Sequence, residues 1–435
     1  MTENHPHRGP RPDRAGGRQA PHTNPSRPHS NVPRRTRPLS ADMKSTPSAA
    51  PSAPAPARHG SERRGMDQGR PRGGRPSRGR ASDKKMLPPM KHVTQEKGHA
   101  DSILRFVPLG GLEEIGRNCS FFEYKDEIII IDVGIQFPEE ATPGVDYIIP
   151  NVSYLEARKK NIRGILLTHG HYDHIAAIHY LIEKLGNPTI YTADITKAIV
   201  ARRHEEFVNA PKLNFRTIKD GDKVKISENF TAEFFNVGHT IPDALGFILD
   251  TPAGKMVSFG DFRLDITKDG EPEHLDIFKR IGTLGVHTIF MDSTNALREG
   301  FSSSERIVEQ NLELLIKNAK GRIIIATFAS LLVRIIELIS IAERLGRKVA
   351  VNGRSMKDNL ATAEQLGYFK SKKDTMIPVE DIGKFRDEKI LILTTCAQGE
   401  PNAGLMKIVN GEHKVVRLKK NDTVVFSSSV IPGNE

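Results

Sequence analysis

The residues best equipped for chemistry are crowded into one short run, Thr168-His169-Gly170-His171-Tyr172-Asp173-His174, directly after the apolar stretch 164–167. His169, His171, Asp173 and His174 are all potential metal ligands. In a loop between strand and helix, His169 and His171 at i and i+2 can converge on one cation while Asp173 and His174 turn toward a second. A histidine-rich surface loop is the alternative, but an HxHxDH run at a strand end is far more specific than a lone glycine-rich turn. A catalytic zinc keeps three or four protein ligands and an open position, so ligands from elsewhere are required. Two residues fit. His239 lies in Asn236-Val237-Gly238-His239-Thr240-Ile241-Pro242-Asp243 and Asp261 in Ser258-Phe259-Gly260-Asp261-Phe262, each just after an apolar run. Taken singly they read as a turn histidine and a turn carboxylate. Taken with the loop, Asp261 is the kind of bridging carboxylate that holds two ions about 3.5–4 Å apart. Upstream, Asp132 ends another apolar run, where it either hydrogen-bonds a ligand histidine and fixes its tautomer or is an ordinary strand-end acid.

These residues need a scaffold that brings strand ends together. From residue 103 onward, short β-branched runs at 121–124, 127–133, 162–168, 189–192, 230–237 and 255–259 predict strands, and helical spacing predicts helices over 174–185 and 196–207. The reading is a layered α/β arrangement with helices covering sheets. After Asp292 the units lengthen: helix 304–319, strand 322–326, helix 331–345, strand 348–351 and strand 389–395. That alternation predicts parallel βαβ units in a second α/β domain. The division is a tail over 1–100, a first domain over 101–299 and a second over 300–435. Because the chain stops just after an apolar run, 423–426, and a Pro-Gly turn, Glu435 is not expected to be the natural end of the domain.

The first hundred residues differ in kind. They hold 16 of the 28 prolines, and 21 Lys+Arg against 7 Asp+Glu, whereas the remaining residues carry 43 against 46. The net charge of +11 therefore originates in the tail. Such a segment buries too little apolar surface to offset its ordering entropy and is expected to be disordered. A basic arm of this type attracts polyphosphate without reading sequence, or is simply solvated. Cys119 and Cys396 are too few and too far apart for a disulfide framework or a thiolate zinc site, which suits a reducing cytoplasm. No apolar run of the kind a signal peptide requires follows Met1, so none is expected. The most apolar stretch, 323–342, contains Arg334 and Glu337 and reads as strand plus helix, so no membrane span is expected.

The order Asp132, His169-x-His171-x-Asp173-His174, His239, Asp261 resembles the first four motifs of the metallo-β-lactamase superfamily. More specific are Leu109-Gly110-Gly111-Leu112-Glu113-Glu114-Ile115-Gly116-Arg117-Asn118, Phe137-Pro138-Glu139-Glu140, Asp292-Ser293-Thr294-Asn295-Ala296, Gly353-Arg354-Ser355-Met356 and Gln398-Gly399-Glu400-Pro401. In that order they are similar to the ribonuclease J family of β-CASP nucleases. The resemblance implies an αββα sandwich with an inserted β-CASP α/β domain. It also implies two zinc ions, with His169, His171 and His239 holding one, Asp173 and His174 the other, and Asp261 between them. Asp132, Asp173, Asp261 and Asp292 would serve catalysis; Ser293, Arg354 and Ser355 are candidates for phosphate contacts, since Arg grips phosphate bidentately. The implied activity is 5′→3′ exonucleolytic cutting of single-stranded, 5′-monophosphorylated RNA, with endonucleolytic cuts, in mRNA decay and rRNA maturation. A dimer or tetramer is implied for the complete protein, and the basic tail is a candidate tether to other RNA-decay proteins.

The chain departs from the family pattern. Tyr172 stands where Glu is usual, at a position that is not a ligand. Leu331, Leu332 and Val333 follow Ser330 where an Asn and then a His are common, and Cys396-Ala397 replaces Gly-Ser. The later histidine-bearing motifs of the family would lie beyond Glu435. His179, His204, His274 and His287 match no family position and read as surface or core residues. Because the ligand set alone does not choose a substrate, a hydrolase of small esters or thioesters and an inactive RNA-binding fragment remain alternatives.

Overall fold

The computed structural model describes residues 103–137, 144–267, 269–300, 302–396 and 403–428. The basic tail, most of 137–140, the 398–401 turn and the Pro-Gly turn near the C-terminus lie outside the described residues.

The run Ile128-Ile129-Ile130-Ile131 explains the first half of the fold. A strand alternates its side chains between faces, so an unbroken apolar, β-branched run belongs to a strand covered on both sides. It forms β3 of a six-stranded sheet ordered β1 (Arg105–Gly110), β2 (Cys119–Tyr124), β3 (Glu127–Ile131), β4 (Ile162–Leu166), β5 (Ile190–Thr192) and β6 (Phe215–Thr217). β1 to β3 are antiparallel neighbours, and β3 to β6 are parallel. The second sheet runs from β7 (Lys223–Lys225) through β8 (Thr231–Asn236), β9 (Leu245–Thr251) and β10 (Gly254–Ser258) to β11 (Val286–Phe290).

Adjacent residues separate into different layers. Phe122, Ile129 and Leu166 pack between the sheets against Phe234, Phe247 and Leu249. Phe121, Ile128, Ile130 and Ile165 pack outward with residues of α1 (Ser153–Glu156), α2 (Tyr172–Ile175), α3 (Ile178–Leu181) and α4 (Asp194–His204). Phe235, Ile248 and Val257 cover the other outer face with Ile281 of α5 (Leu275–Gly282). The result is helix, sheet, sheet, helix, the αββα arrangement implied above.

The second half is a parallel sheet ordered Met376–Ile377, Lys348–Asn352, Ile390–Thr395, Ile323–Thr327 and Thr423–Phe426, which are β14, β13, β15, β12 and β16. Its helices are α6 (Glu305–Asn318), α7 (Leu332–Arg344), α8 (Arg354–Gln365) and α9 (Gly404–Val409). Ile323, Ile325 and Val349 face α6 to α8, while Ile324, Ala350 and Ile392 face the opposite side, so this sheet too is buried on both faces. Among the described residues no helix is long and apolar enough to cross a membrane. Cys119 and Cys396 are both buried and unpaired.

Two differences from the expected elements bear on the site. The helix expected over 174–185 is broken into α2 and α3. The carbonyls of Tyr172, Asp173 and His174 accept from the N–H groups of Ile135, Asn118 and Val133, and Ala177 N–H donates to Val133 O, so tertiary bonds take groups a continuous helix would use. Also, the strands expected to reach 133 and 168 stop at Ile131 and Leu166; at the first of these Asp132 takes a left-handed backbone (φ 55°) that turns the chain.

His179 lies in α3, just after the break. His204 Nε2–H donates to Pro211 O (2.8 Å), so His204 Nδ1 accepts from His179 Nδ1–H (3.2 Å) and His179 Nε2 is left buried without a partner. Burial and the nearby His204 push the His179 pKa down to about 3. Between pH 6.5 and about 3 the unfolded chain binds a proton there that the folded protein refuses, so stability falls as pH drops through that window. Urea titrations of metal-free protein should show His179→Leu losing less stability than wild type between pH 6.5 and 4, by up to about 3 kcal/mol.

Candidate metal centre

The site forms where strand ends of the two sheets meet. β4 ends at Leu166 and delivers His169, His171, Asp173 and His174; the β8–β9 connection delivers His239; β10 delivers Asp261. Close backbone approach is built in. A Cβ on Gly134 would lie 1.5 Å from Asp173 O, and one on Gly260 (φ 58°) would lie 2.9 Å from the Thr168 side chain. Only glycine permits either contact.

Asp132, 4% exposed, sits behind the histidines. Its carboxylate accepts from Thr168 N–H (2.8 Å), from Thr168 Oγ1–H (2.9 Å) and from His174 Nδ1–H (2.8 Å). With its own proton committed to Asp132, the Thr168 hydroxyl accepts from His169 Nδ1–H at 3.0 Å. One buried carboxylate thus sets two tautomers, directing Nε2 of both rings toward the centre.

His169 Nε2 lies 3.0 Å from His171 Nδ1, and His239 Nε2 lies 3.1 Å from the same atom. Asp261 faces both ways: Oδ2 is 3.9 Å from His169 Nε2 and Oδ1 is 3.3 Å from His174 Nε2. Asp173 Oδ2 is 3.6 Å from His174 Nε2. Two groups of ligand atoms follow, each mutually within 4.8 Å: His169, His171, His239 and Asp261, and Asp173, His174 and Asp261.

Electrostatics divides the rings. Burial first, then the neighbouring rings, holds His169 well below the ordinary imidazole range; burial lowers His171, and burial with His171 takes His239 down to about 3. Three neutral rings then point nitrogens at one another across about a hydrogen-bond length, and a single shared proton can satisfy at most one such contact. The trio suits a cation. Burial also opposes charge on His174, but Asp261, Asp173 and Asp132 outweigh it and raise its pKa well above the usual range. Burial would raise Asp261, yet His174 outweighs it and lowers it. Protonated His174 and a divalent cation therefore meet the same demand for positive charge beside Asp261 and Asp173.

Asn118 is a site residue that motif reading did not single out, although it ends the Leu109–Asn118 string. Its side-chain nitrogen lies 3.0 Å from His174 Nε2 and donates to Asp173 O at 3.2 Å. Thr168 likewise had only a place in the run, not a role. Tyr172 is in neither ligand group.

The candidate substrate residues belong to neither ligand group. Asp292 follows β11, whose parallel neighbour β10 leads to Asp261, and its Oδ1 accepts from Thr294 N–H (2.8 Å) and Oγ1–H (2.6 Å). Ser293 beside it is exposed. Arg354 and Ser355 form the exposed first turn of α8, beyond β13 in the third sheet.

Known proteins share this organisation. Residues 112–300 match the metallo-β-lactamase superfamily, and residues 320–435 match the β-CASP domain of ribonuclease J. A ribonuclease J of Synechocystis sp. is 39% identical over 332 residues, 76% of this chain. The chain thus joins a metallo-β-lactamase domain to a β-CASP domain of the ribonuclease J type. A ribonuclease J of Thermus thermophilus is also 39% identical, over 345 residues and 78% of the chain. The chain spans only part of these family members, 52% of the Synechocystis protein and 60% of the Thermus protein. A crystal structure of a protein of unknown function from Enterococcus faecalis V583 shares the fold, with TM-score 0.56 and 17% identity, covering 75% of this chain and 89% of that one.

Because Asp132 orients two rings without belonging to either ligand group, its replacement separates positioning from ligation. Asp132→Asn should weaken zinc binding roughly ten- to a hundredfold, measured by competition with a chromophoric chelator.

Proposed function

We propose that the chain is a zinc-dependent ribonuclease of the β-CASP type, with 101–299 forming the metal-binding domain and 300–435 the domain that closes on RNA. The observation that carries this is the pair of ligand groups sharing Asp261, joined in one chain to a β-CASP domain of the ribonuclease J type. His169, His171 and His239 would hold one ion, Asp173 and His174 the other, with Asp261 between them. Two zinc ions so held would supply a nucleophile at neutral pH and neutralise charge developing on the phosphoryl oxygens.

The protein's own groups do the rest. Asp132 and Thr168 hold His174 and His169 with their Nε2 lone pairs available. Asp261, kept ionised beside His174, favours a cation where the phosphodiester must lie, and Asp173 adds a second carboxylate there. Asp292 borders this edge from the end of β11, and Ser293, Arg354 and Ser355 are the proposed phosphate contacts. Hydrolysis would leave a 5′-phosphate on the downstream product, which suits 5′→3′ exonucleolytic action on 5′-monophosphorylated single strands, alongside endonucleolytic cuts, in mRNA decay and rRNA maturation. A cytoplasmic homo-oligomer with a basic tail that adds RNA affinity or RNA-decay partners completes the proposal.

The deciding experiment incubates the protein with zinc and 5′-monophosphorylated RNA, and separately with a thioester. RNA should be degraded, chelator should stop it, zinc should restore it, and Asp261→Ala should reduce it by at least about a hundredfold. Intact RNA together with thioester turnover would replace this reading with that of a small-molecule hydrolase.

A further inference from the structure

The loop that carries His239 is held from two directions. Val237 N–H donates to Ala244 O (3.0 Å), and Arg263 N–H donates to Gly238 O (2.8 Å), both within the first two sheets' own framework. The other two holds come from helices of the third sheet. Val333 N–H, in the first turn of α7, donates to Thr240 O at 3.2 Å. Tyr368, just beyond the end of α8, donates its hydroxyl proton to Asp243 Oδ2 at 2.5 Å.

Asp243 has a left-handed backbone, φ 52°, although it is not glycine. Aspartate tolerates that conformation better than most side chains, and a hydrogen bond to its carboxylate helps to hold it there. Among the described residues the Asp243 side chain has one hydrogen-bond partner, the Tyr368 phenol, and that partner lies 125 residues away on the other domain. Between the two holds, Thr240 Oγ1 comes within 3.4 Å of His171 Nε2, and His239 Nε2 sits 3.1 Å from His171 Nδ1. Displacing the loop by an ångström would open that contact.

We propose that Tyr368 is a positioning residue for His239: through Asp243 it latches the metal-binding loop to the second domain, so that the histidine group is complete only when that domain is seated. The inference rests on the reading of His239 as a ligand. It also gives Asp243 a role as the latch's acceptor oxygen, beyond its tolerance of a left-handed turn.

The 435-residue protein tests this without relying on turnover. In metal-free protein, amide hydrogen exchange of residues 237–244 should rise by roughly tenfold in Tyr368→Phe, the loss expected for a hydrogen bond to a carboxylate. It should stay within about twofold of wild type in Asp243→Asn, which keeps an acceptor oxygen. Zinc affinity by chelator competition should fall in Tyr368→Phe and be retained in Asp243→Asn. Unchanged loop exchange and unchanged zinc affinity in Tyr368→Phe would overturn the latch. So would exchange that rises equally across all sheets, which would mark Tyr368 as a general stabiliser. Wild-type protein that binds zinc yet leaves RNA intact would count against the ribonuclease reading alone, because the exchange and affinity comparisons still decide the latch.

Discussion

Everything at the metal centre depends on one buried carboxylate. Asp132 accepts three hydrogen bonds, two from Thr168 and one from His174, in a place where an unpaired charge would be costly. The bonds answer that cost and at the same time fix the direction in which two imidazoles present their lone pairs. The left-handed turn at Asp132 that ends β3 also puts its side chain against the end of β4, so the same backbone feature terminates a strand and builds the site.

The second constraint is backbone crowding around that turn. The N–H groups of Asn118, Val133 and Ile135 donate to the carbonyls of Asp173, His174 and Tyr172, and Gly134 lies too close to Asp173 O for any side chain. These contacts hold the ligand loop as rigidly as a strand pair would, which suits a site whose ligand atoms must converge within a few ångströms. The price is a fractured helix.

A third element comes from the other half of the chain. The His239 loop is a hairpin connection with little regular structure of its own, and α7 and the end of α8 each supply it with a hydrogen bond. Around it, Arg263 and Arg334 both bind the Glu305 carboxylate, at 2.7 and 2.5 Å. Burial would raise the Glu305 pKa, but the two guanidinium groups outweigh it and lower it. The two domains are therefore joined through ionic and hydrogen-bonded contacts beside the metal ligands, and the position of one bears directly on the geometry of the other.

Much of this was legible in the residues alone. Apolar runs marked β2 to β5, β8, β10, β12, β13, β15 and β16, because burial on both faces demands continuous β-branched sequence, and histidines and aspartates at the ends of such runs marked the ligands. Short or edge elements such as β6, β7, β14 and α1 carry too few buried residues to leave a period. The helix expected over 174–185 failed for a reason no local pattern encodes: its carbonyls are claimed by residues about 40 to 55 positions earlier in the chain. The sequence by itself determined which side chains could bind a metal and that strand ends would present them. Only the tertiary structure decided that Asp132 sets two tautomers, that Asn118 stands beside His174, and that Tyr368 reaches Asp243, because each of these is a contact between distant segments whose partners are chosen by packing.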